Sequence, residues 1–332
     1  MKDIARVTGL GLATISKYLN GGNVRPKNKV LIDSAVKELG FTINMIARSL
    51  KTSQSHTIGV VIPELNQTFS TTIITHVTDV LRNKGYAVLV CDCRTNEKLE
   101  KEMIGFLLDK RVDGILNMPT SPNGEHLQPA LDRDVPVVLI DRMIPRLAGQ
   151  VSAVVVDNVD AAHKATTILL DAGHRNIGII LGPRGIYTSE HRCSGIEKAY
   201  AERGLTAKAE NIVFSDYSMK GGYEAAKKLL STSELPSALF VTNYDMTLGT
   251  IIALNEMQIR VPEDLSFVGF DKLDAFGEIF RTLTLMKQPQ NVIGERAAHL
   301  LLNMLGKDKA PILHQVITLS AQLELGTSVL AI

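Results

Sequence analysis

The stretch Asp3-Ile-Ala-Arg-Val-Thr-Gly-Leu-Gly-Leu-Ala-Thr-Ile-Ser-Lys-Tyr-Leu-Asn20 sets Ile4, Ala5, Thr8, Leu10, Ile15 and Tyr18 where two short helices would pack together. Ala5 is small where those helices would cross, and Gly9 stands where the turn between them needs a residue tolerant of positive φ. The second helix, about 12–19, stops at Asn20-Gly-Gly22 and shows Leu12, Ala13, Thr14, Ser16 and Lys17 on its outward face. Short hydroxyls and one cation there suit phosphate and base-edge contacts in a major groove. A third helix is expected over 26–39, with Pro26 at its start, Gly40 past its end, and Val30, Leu31, Ser34, Ala35 and Leu39 on one core-facing side. Gly9-Leu-Gly11 is not a dinucleotide loop, because no strand fits upstream and position 14 is Thr.

Charge supports a split between this head and the rest. Residues 1–56 carry +6 and the remaining 276 residues −5, hidden in a net charge of +1. A basic end on an acidic body is the footprint of nucleic-acid binding, since phosphate neutralisation dominates such affinity. The 332 residues, 45% hydrophobic and without Trp, exceed one ordinary core and predict two or three globular domains. Three cysteines argue against a disulfide framework; Cys91 and Cys93, two apart in an apolar run, read as buried small hydrophobes. Met1-Lys-Asp-Ile-Ala opens without a signal peptide, and no apolar run approaches the ~20 residues of a membrane span. A cytoplasmic protein is therefore expected.

Four stretches continue in register: Asp3 to Gly9, Ala13 to Asn20, Lys37-Glu-Leu-Gly-Phe41 and Asn44-Met-Ile-Ala-Arg-Ser-Leu50. Together they resemble the head of the lactose/purine repressor (LacI/GalR) family. The resemblance implies that Leu12, Ala13 and Lys17 read bases, that Thr14 and Ser16 meet the backbone, and that residues 44–51 form a hinge helix. Asn44 and Arg48 would belong to that hinge, and Leu50 would wedge into the minor groove at the dyad. Seven or eight residues are too few for an isolated helix, so the hinge should fold only when paired across a dimer on DNA. The alternative for Leu50 is a core position beside the third helix. The chain departs from the family pattern where Gly11 replaces a capping Ser, Ile43 replaces Pro, and Leu12 and Ala13 are apolar. The domain plan that follows is a helix-turn-helix head over 1–43, hinge and linker over 44–57, and an effector-binding and dimerisation body over 58–332.

Beyond the polar linker Lys51-Thr-Ser-Gln-Ser-His-Thr57 the pattern changes to short apolar runs alternating with helical stretches. Strands are expected over 58–62, 87–91, 114–117, 137–140, 153–156, 177–181, 238–241 and 266–270. Near-continuous apolar strands separated by helices predict parallel sheets, best split into two doubly wound α/β lobes with a cleft at the strands' carboxyl ends. Ile58-Gly-Val-Val-Ile-Pro63, Val138-Leu-Ile-Asp-Arg142, Gly173-His-Arg-Asn-Ile177, Asn243-Tyr-Asp-Met-Thr-Leu-Gly249, Val268-Gly-Phe-Asp271 and Leu283-Thr-Leu-Met-Lys-Gln-Pro289 extend the resemblance through this body. It implies a periplasmic-binding-protein-like body whose first lobe spans about 58–156 plus 286–312 and takes the strand that follows a crossover near 285–290. The second lobe would span 157–285 plus 313–332.

Carried over residue by residue, the resemblance places Phe69, Asp141, Arg192, Tyr217, Asn243 and Asp271 around a small effector. Carboxylates, an amide and a guanidinium over an aromatic face are how a protein satisfies a polyol's hydroxyls while covering its apolar side. Asp271 reads equally as a helix N-cap and Asp141-Arg142 as a local ion pair. Val156, Tyr244 and Lys272 replace frequent family residues, and Ser70 after Phe69 favours a sugar or sugar phosphate over a purine. The histidines show no metal-ligand spacing, and no phosphate loop or nucleophile elbow appears, so neither cofactor, metal nor catalysis is expected. The expected protein is a homodimeric repressor of a pseudo-palindromic operator, controlled by a sugar-like ligand. It would be dimeric and not tetrameric, as no heptads follow the last strand. Its rivals are a catabolite-control-type regulator answering a phosphoprotein and a solute-binding protein.

Overall fold

The computed structural model describes residues 1–19, 22–41, 54–271, 282–306 and 313–332. The chain divides into two compact units, Met1–Ser55 and His56–Ile332. In the first unit, α1 (Lys2–Thr8), α2 (Leu12–Leu19) and α3 (Pro26–Glu38) close on Ile4, Ile15, Ile32 and Ala35. Gly9 ends α1 at φ 67°, its N–H donating to the Ala5 carbonyl, so the turn uses the left-handed conformation that glycine adopts without strain. The Tyr18 hydroxyl donates to Asp33 across 2.6 Å and ties α2 to α3. The core face of α3 differs from the expected one. Val30, Leu31 and Leu39 are exposed, and Ile32, Ala35 and Val36 turn inward. Two overlapping apolar faces satisfy the helical period here, and packing against Ile4 and Ile15 selects the one carrying Ile32.

The second unit holds two six-stranded sheets. The first runs β11-β5-β4-β3-β1-β2, from β1 (Thr57–Ile62), β2 (Ala87–Asp92), β3 (Gly114–Asn117), β4 (Val137–Asp141), β5 (Ser152–Val156) and β11 (Val316–Leu319). Its strands are all parallel. The second runs β12-β10-β9-β8-β6-β7, from β6 (Ile177–Leu181), β7 (Ile212–Phe214), β8 (Ala238–Val241), β9 (Ser266–Phe270), β10 (Thr284–Lys287) and β12 (Gln322–Glu324). There β12 alone is antiparallel. Strand order reverses beside β1 in the first sheet and beside β6 in the second, the switch points where such sheets leave a crevice at their carboxyl ends.

Helices α4 (Thr68–Asn83), α5 (Glu97–Asp109), α6 (Gln128–Leu131) and α11 (Gln290–Met304) belong to the first lobe. Helices α7 (Asn158–Asp171), α8 (Tyr187–Ala201), α9 (Met219–Leu230) and α10 (Tyr244–Glu256) belong to the second. Ser70, Ile73, Val77 and Leu81 repeat at helical spacing and form the buried stripe of α4. In the second lobe, glycines let helices touch backbone to backbone. A Cβ on Gly195 would strike the Val159 carbonyl, and one on Gly249 the Met219 carbonyl.

The chain passes between lobes after β5, after β10 and after β11. The lobe boundary expected at 286–312 is therefore corrected. The strand after the crossover near 285–290 does join the first sheet, but it is 316–319, outside the span assigned to that lobe, while β10 before the crossover pairs with β9 in the second sheet. The eight expected strands are present, while β7, β10, β11 and β12 were not among them. All are three or four residues long, and β7, β11 and β12 are only partly buried, too short and too mixed to carry a periodic signal.

Candidate functional site

On the head, α2 leaves Leu12, Ala13 and Lys17 exposed, while Thr14 and Ser16 are half-buried. No side chain caps α1. Asn44, Arg48 and Leu50 lie outside the described residues.

In the body, Phe69, Asp141, Arg192, Tyr217, Asn243 and Asp271 line one open cavity between the lobes. Each comes from a carboxyl-end segment. Phe69 opens α4 after β1, Asp141 ends β4, Tyr217 follows β7, Asn243 follows β8 and Asp271 follows β9. Arg192 projects from α8 and is buried. Its Nε donates to Asn158 Oδ1 at 2.8 Å and a terminal nitrogen to the Thr242 carbonyl at 2.5 Å, with the guanidinium 3.9 Å over the Phe270 ring. Arg192 thus joins the start of α7 to the end of β8.

Three of these residues sit in the left-handed region despite their side chains: Asp141 at φ 69°, Tyr217 at 65° and Asp271 at 68°. Such backbone costs on the order of 1 kcal/mol or more apiece and gathers at sites where aim outweighs stability. The Tyr217 ring lies against Gly182, where any Cβ would strike it, and its hydroxyl meets that of Thr188 at 2.9 Å. Asn243 caps α10, its Oδ1 accepting from the Met246 N–H at 3.0 Å. Burial holds the Asp141 carboxyl above the usual range, against Arg142 and Arg192. Asp271 is pushed up to about 6 by burial, opposed by Arg192 and by Gln288, whose Nε2 donates to both its oxygens at 2.9 and 3.1 Å.

Gln67, Met118, Arg142, Thr188 and Gln288 complete the lining and were not among the expected site residues. Arg142 was visible only as a partner for Asp141; the pair is 3.5 Å apart, and Arg142 also donates to the Pro119 carbonyl at 2.9 Å. Gln288 stood in the quoted stretch Lys287-Gln-Pro289, at the second passage between lobes, and that placement was the available signal. Among the described residues, Asp141 Oδ1, Gln288 Oε1 and Arg142 Nε are buried without a hydrogen-bond partner. The two acceptors are expensive to leave unpaired, while Arg142 Nε lies 3.5 Å from Asp141 Oδ2. No cluster of His, Cys, Asp or Glu able to hold a metal ion occurs among the described residues. No described helix is long and apolar enough to cross a membrane.

Residues 55–323 match a family described as periplasmic binding proteins and sugar binding domain of LacI family. Catabolite control protein A of Priestia megaterium is 31% identical over 308 residues, 92% of each chain. The HTH-type transcriptional repressor PurR of Proteus mirabilis (strain HI4320) is 32% identical over 307 residues, 91% of this chain and 89% of that one. Among solved structures, a transcriptional regulator CelR–cellobiose complex superposes with a TM-score of 0.75 at 26% identity, covering 98% of both chains.

Proposed function

This chain belongs to the LacI family of transcriptional regulators, and from that premise we propose that it is a dimeric operator-binding repressor governed by a polyhydroxylated ligand held between its lobes. The observation that carries the reading is the convergence of six residues from both lobes on one cavity whose remaining polar atoms lack partners. Ligand hydroxyls would satisfy Asp141, Gln288 and Arg142, Tyr217 would cover the apolar face of a sugar ring, and Arg192 would hold the two carboxylates in place. A relative that is a transcriptional repressor and a solved regulator in complex with cellobiose support the same class.

On the DNA side, Leu12, Ala13 and Lys17 would face base edges, and Thr14 and Ser16 the backbone. Asn44, Arg48 and Leu50 would act in the minor groove at the dyad. Apolar Leu12 and Ala13 direct preference toward thymine methyls and deformable steps. Two subunits would set their α2 helices in successive major grooves, about 10 base pairs apart or a multiple of that. Selection of binding sites from random duplex DNA tests this reading. Enrichment of a palindrome whose log affinity falls steeply with log salt supports it. Failure to enrich any sequence, with and without sugars present, overturns it.

A second reading, a regulator whose co-regulator is a phosphoprotein, takes its support from the likeness to Catabolite control protein A. A selected operator whose affinity ignores every small ligand and responds to a phosphoprotein would favour it.

A further inference from the structure

Glu100 occupies a place that the helical period reserves for an apolar side chain. The buried stripe of α5 runs Glu100, Ile104, Leu107, Leu108, and the carboxylate is fully shielded from solvent. A buried carboxylate is costly unless hydrogen bonds replace its water, so its neighbours say what it is for. Its Oε1 accepts from the Thr120 N–H at 2.9 Å and from Asn117 Nδ2 at 3.2 Å, and its Oε2 accepts from the Ser121 N–H at 2.8 Å. His126 Nε2 stands 3.4 Å from Oε1. Burial raises the carboxyl above the usual range, opposed by these N–H groups and by the Arg142 guanidinium.

The segment tied down in this way leads from the end of β3 into the cleft. Met118 lines the interlobe cavity, and the Pro119 carbonyl accepts from Arg142 at 2.9 Å. Arg142 lines the same cavity and lies 3.5 Å from Asp141. The Pro119 carbonyl and the Thr120 N–H are opposite ends of one planar peptide unit. Glu100 holds the N–H end and Arg142 the carbonyl end, so turning this peptide would move the guanidinium. The carboxylate also polarises the carbonyl to which Arg142 donates. A carboxamide in its place has one oxygen, so either way round its NH2 would face an N–H donor, of Ser121 or of Thr120 and Asn117.

We propose that Glu100 is a positioning residue of the effector site: it sets the 119–120 peptide and, through it, the Arg142 side chain that meets the ligand. This rests on the reading of the interlobe cavity as a sugar-type site.

The test uses the full-length protein carrying nitrogen-15-labelled arginine, with the Arg142 side-chain N–H signal identified as the one missing from Arg142→Lys. In ligand-free Glu100→Gln, and in Glu100→Asp, whose acceptors are withdrawn by one methylene, that signal should shift more than any other arginine signal. Ile104→Val, which trims the same buried stripe without touching the loop, should leave it in place. Calorimetry then reads binding of the common aldohexoses, aldopentoses and their disaccharides. Any that binds wild type should bind Glu100→Gln about threefold or more weakly, as coupling within one hydrogen-bonded network gives, and Ile104→Val as tightly as wild type. An Arg142 signal that stays put in both Glu100 variants, or an affinity that holds although the signal moves, would overturn the proposal. So would an equal loss in Ile104→Val, which would make the effect one of stability. A moved signal in a protein that binds none of these sugars would keep Glu100 as the support of Arg142 and remove the sugar-type reading alone.

Discussion

Asp271 keeps a carboxylate in a buried place, and the consequence is measurable as pH dependence. Its folded pKa of about 6 lies above the ordinary Asp value near 4, so the folded state holds the extra proton between those limits. Stability from this group is therefore lost as pH rises from about 4 to about 6 and stays lost above. Asp271→Asn should match wild type below pH 4 and exceed it by roughly 2 kcal/mol at neutral pH, read from denaturant melts in a pH series. Comparison with wild type is essential, because His126, lowered to about 4 by burial, acts in the opposite sense over the same window. A variant that gains nothing at pH 7 would show that Arg192 and Gln288 already compensate the charge in full.

Gly182 makes a second case at this scale. Any Cβ there meets the Tyr217 ring, so Gly182→Ala should displace the ring and weaken ligand binding by an order of magnitude or more. Calorimetry with the ligand that binds wild type decides it, and unchanged affinity would remove Tyr217 from the site. Phe69, Asp141, Arg192, Tyr217, Asn243 and Asp271, grouped together from the sequence, do meet at one cavity. It did not show the left-handed backbone that aims three of them, because neither Asp nor Tyr announces a positive φ. Nor did it single out Arg142 or Gln288, whose importance depends on burial without a partner.

Among the elements, the central strands were legible because short, near-continuous apolar runs of about four to six residues between helices leave few readings. The edge strands were not, and with them went the allocation of the last passages between lobes. Residues 316–319 complete the first sheet with one side half-exposed, a pattern weaker than that of β10, which stays in the second. Helix α3 shows the same ambiguity on a smaller scale, as two apolar faces competed and a neighbouring core chose. For α2, the proposed reader, Lys17→Ala separates two kinds of contact. If Lys17 meets a base edge, the variant should lose about 1–3 kcal/mol of discrimination at one base pair while the salt slope holds nearly constant. A uniform loss across sequences, with the slope falling by about one, would assign Lys17 to a phosphate instead. Binding to single-mismatch operators over a salt series reads both.

For the whole molecule, the claim is that cleft and head answer to one equilibrium. The lobes are joined by three passages, and Gln288 lies on the second of them while holding Asp271. A ligand that draws the lobes onto these groups therefore acts where the lobes pivot. Coupling between sites is reciprocal and commonly amounts to 1–3 kcal/mol, or about 5–150-fold in affinity. The direct test is the affinity of the full-length protein for its selected operator at fixed salt, without ligand and with saturating amounts of whichever sugar calorimetry shows to bind. The account predicts a change of at least about fivefold, weaker for an inducer and tighter for a co-repressor. Operator affinity that is the same with the cleft filled and unfilled would contradict it.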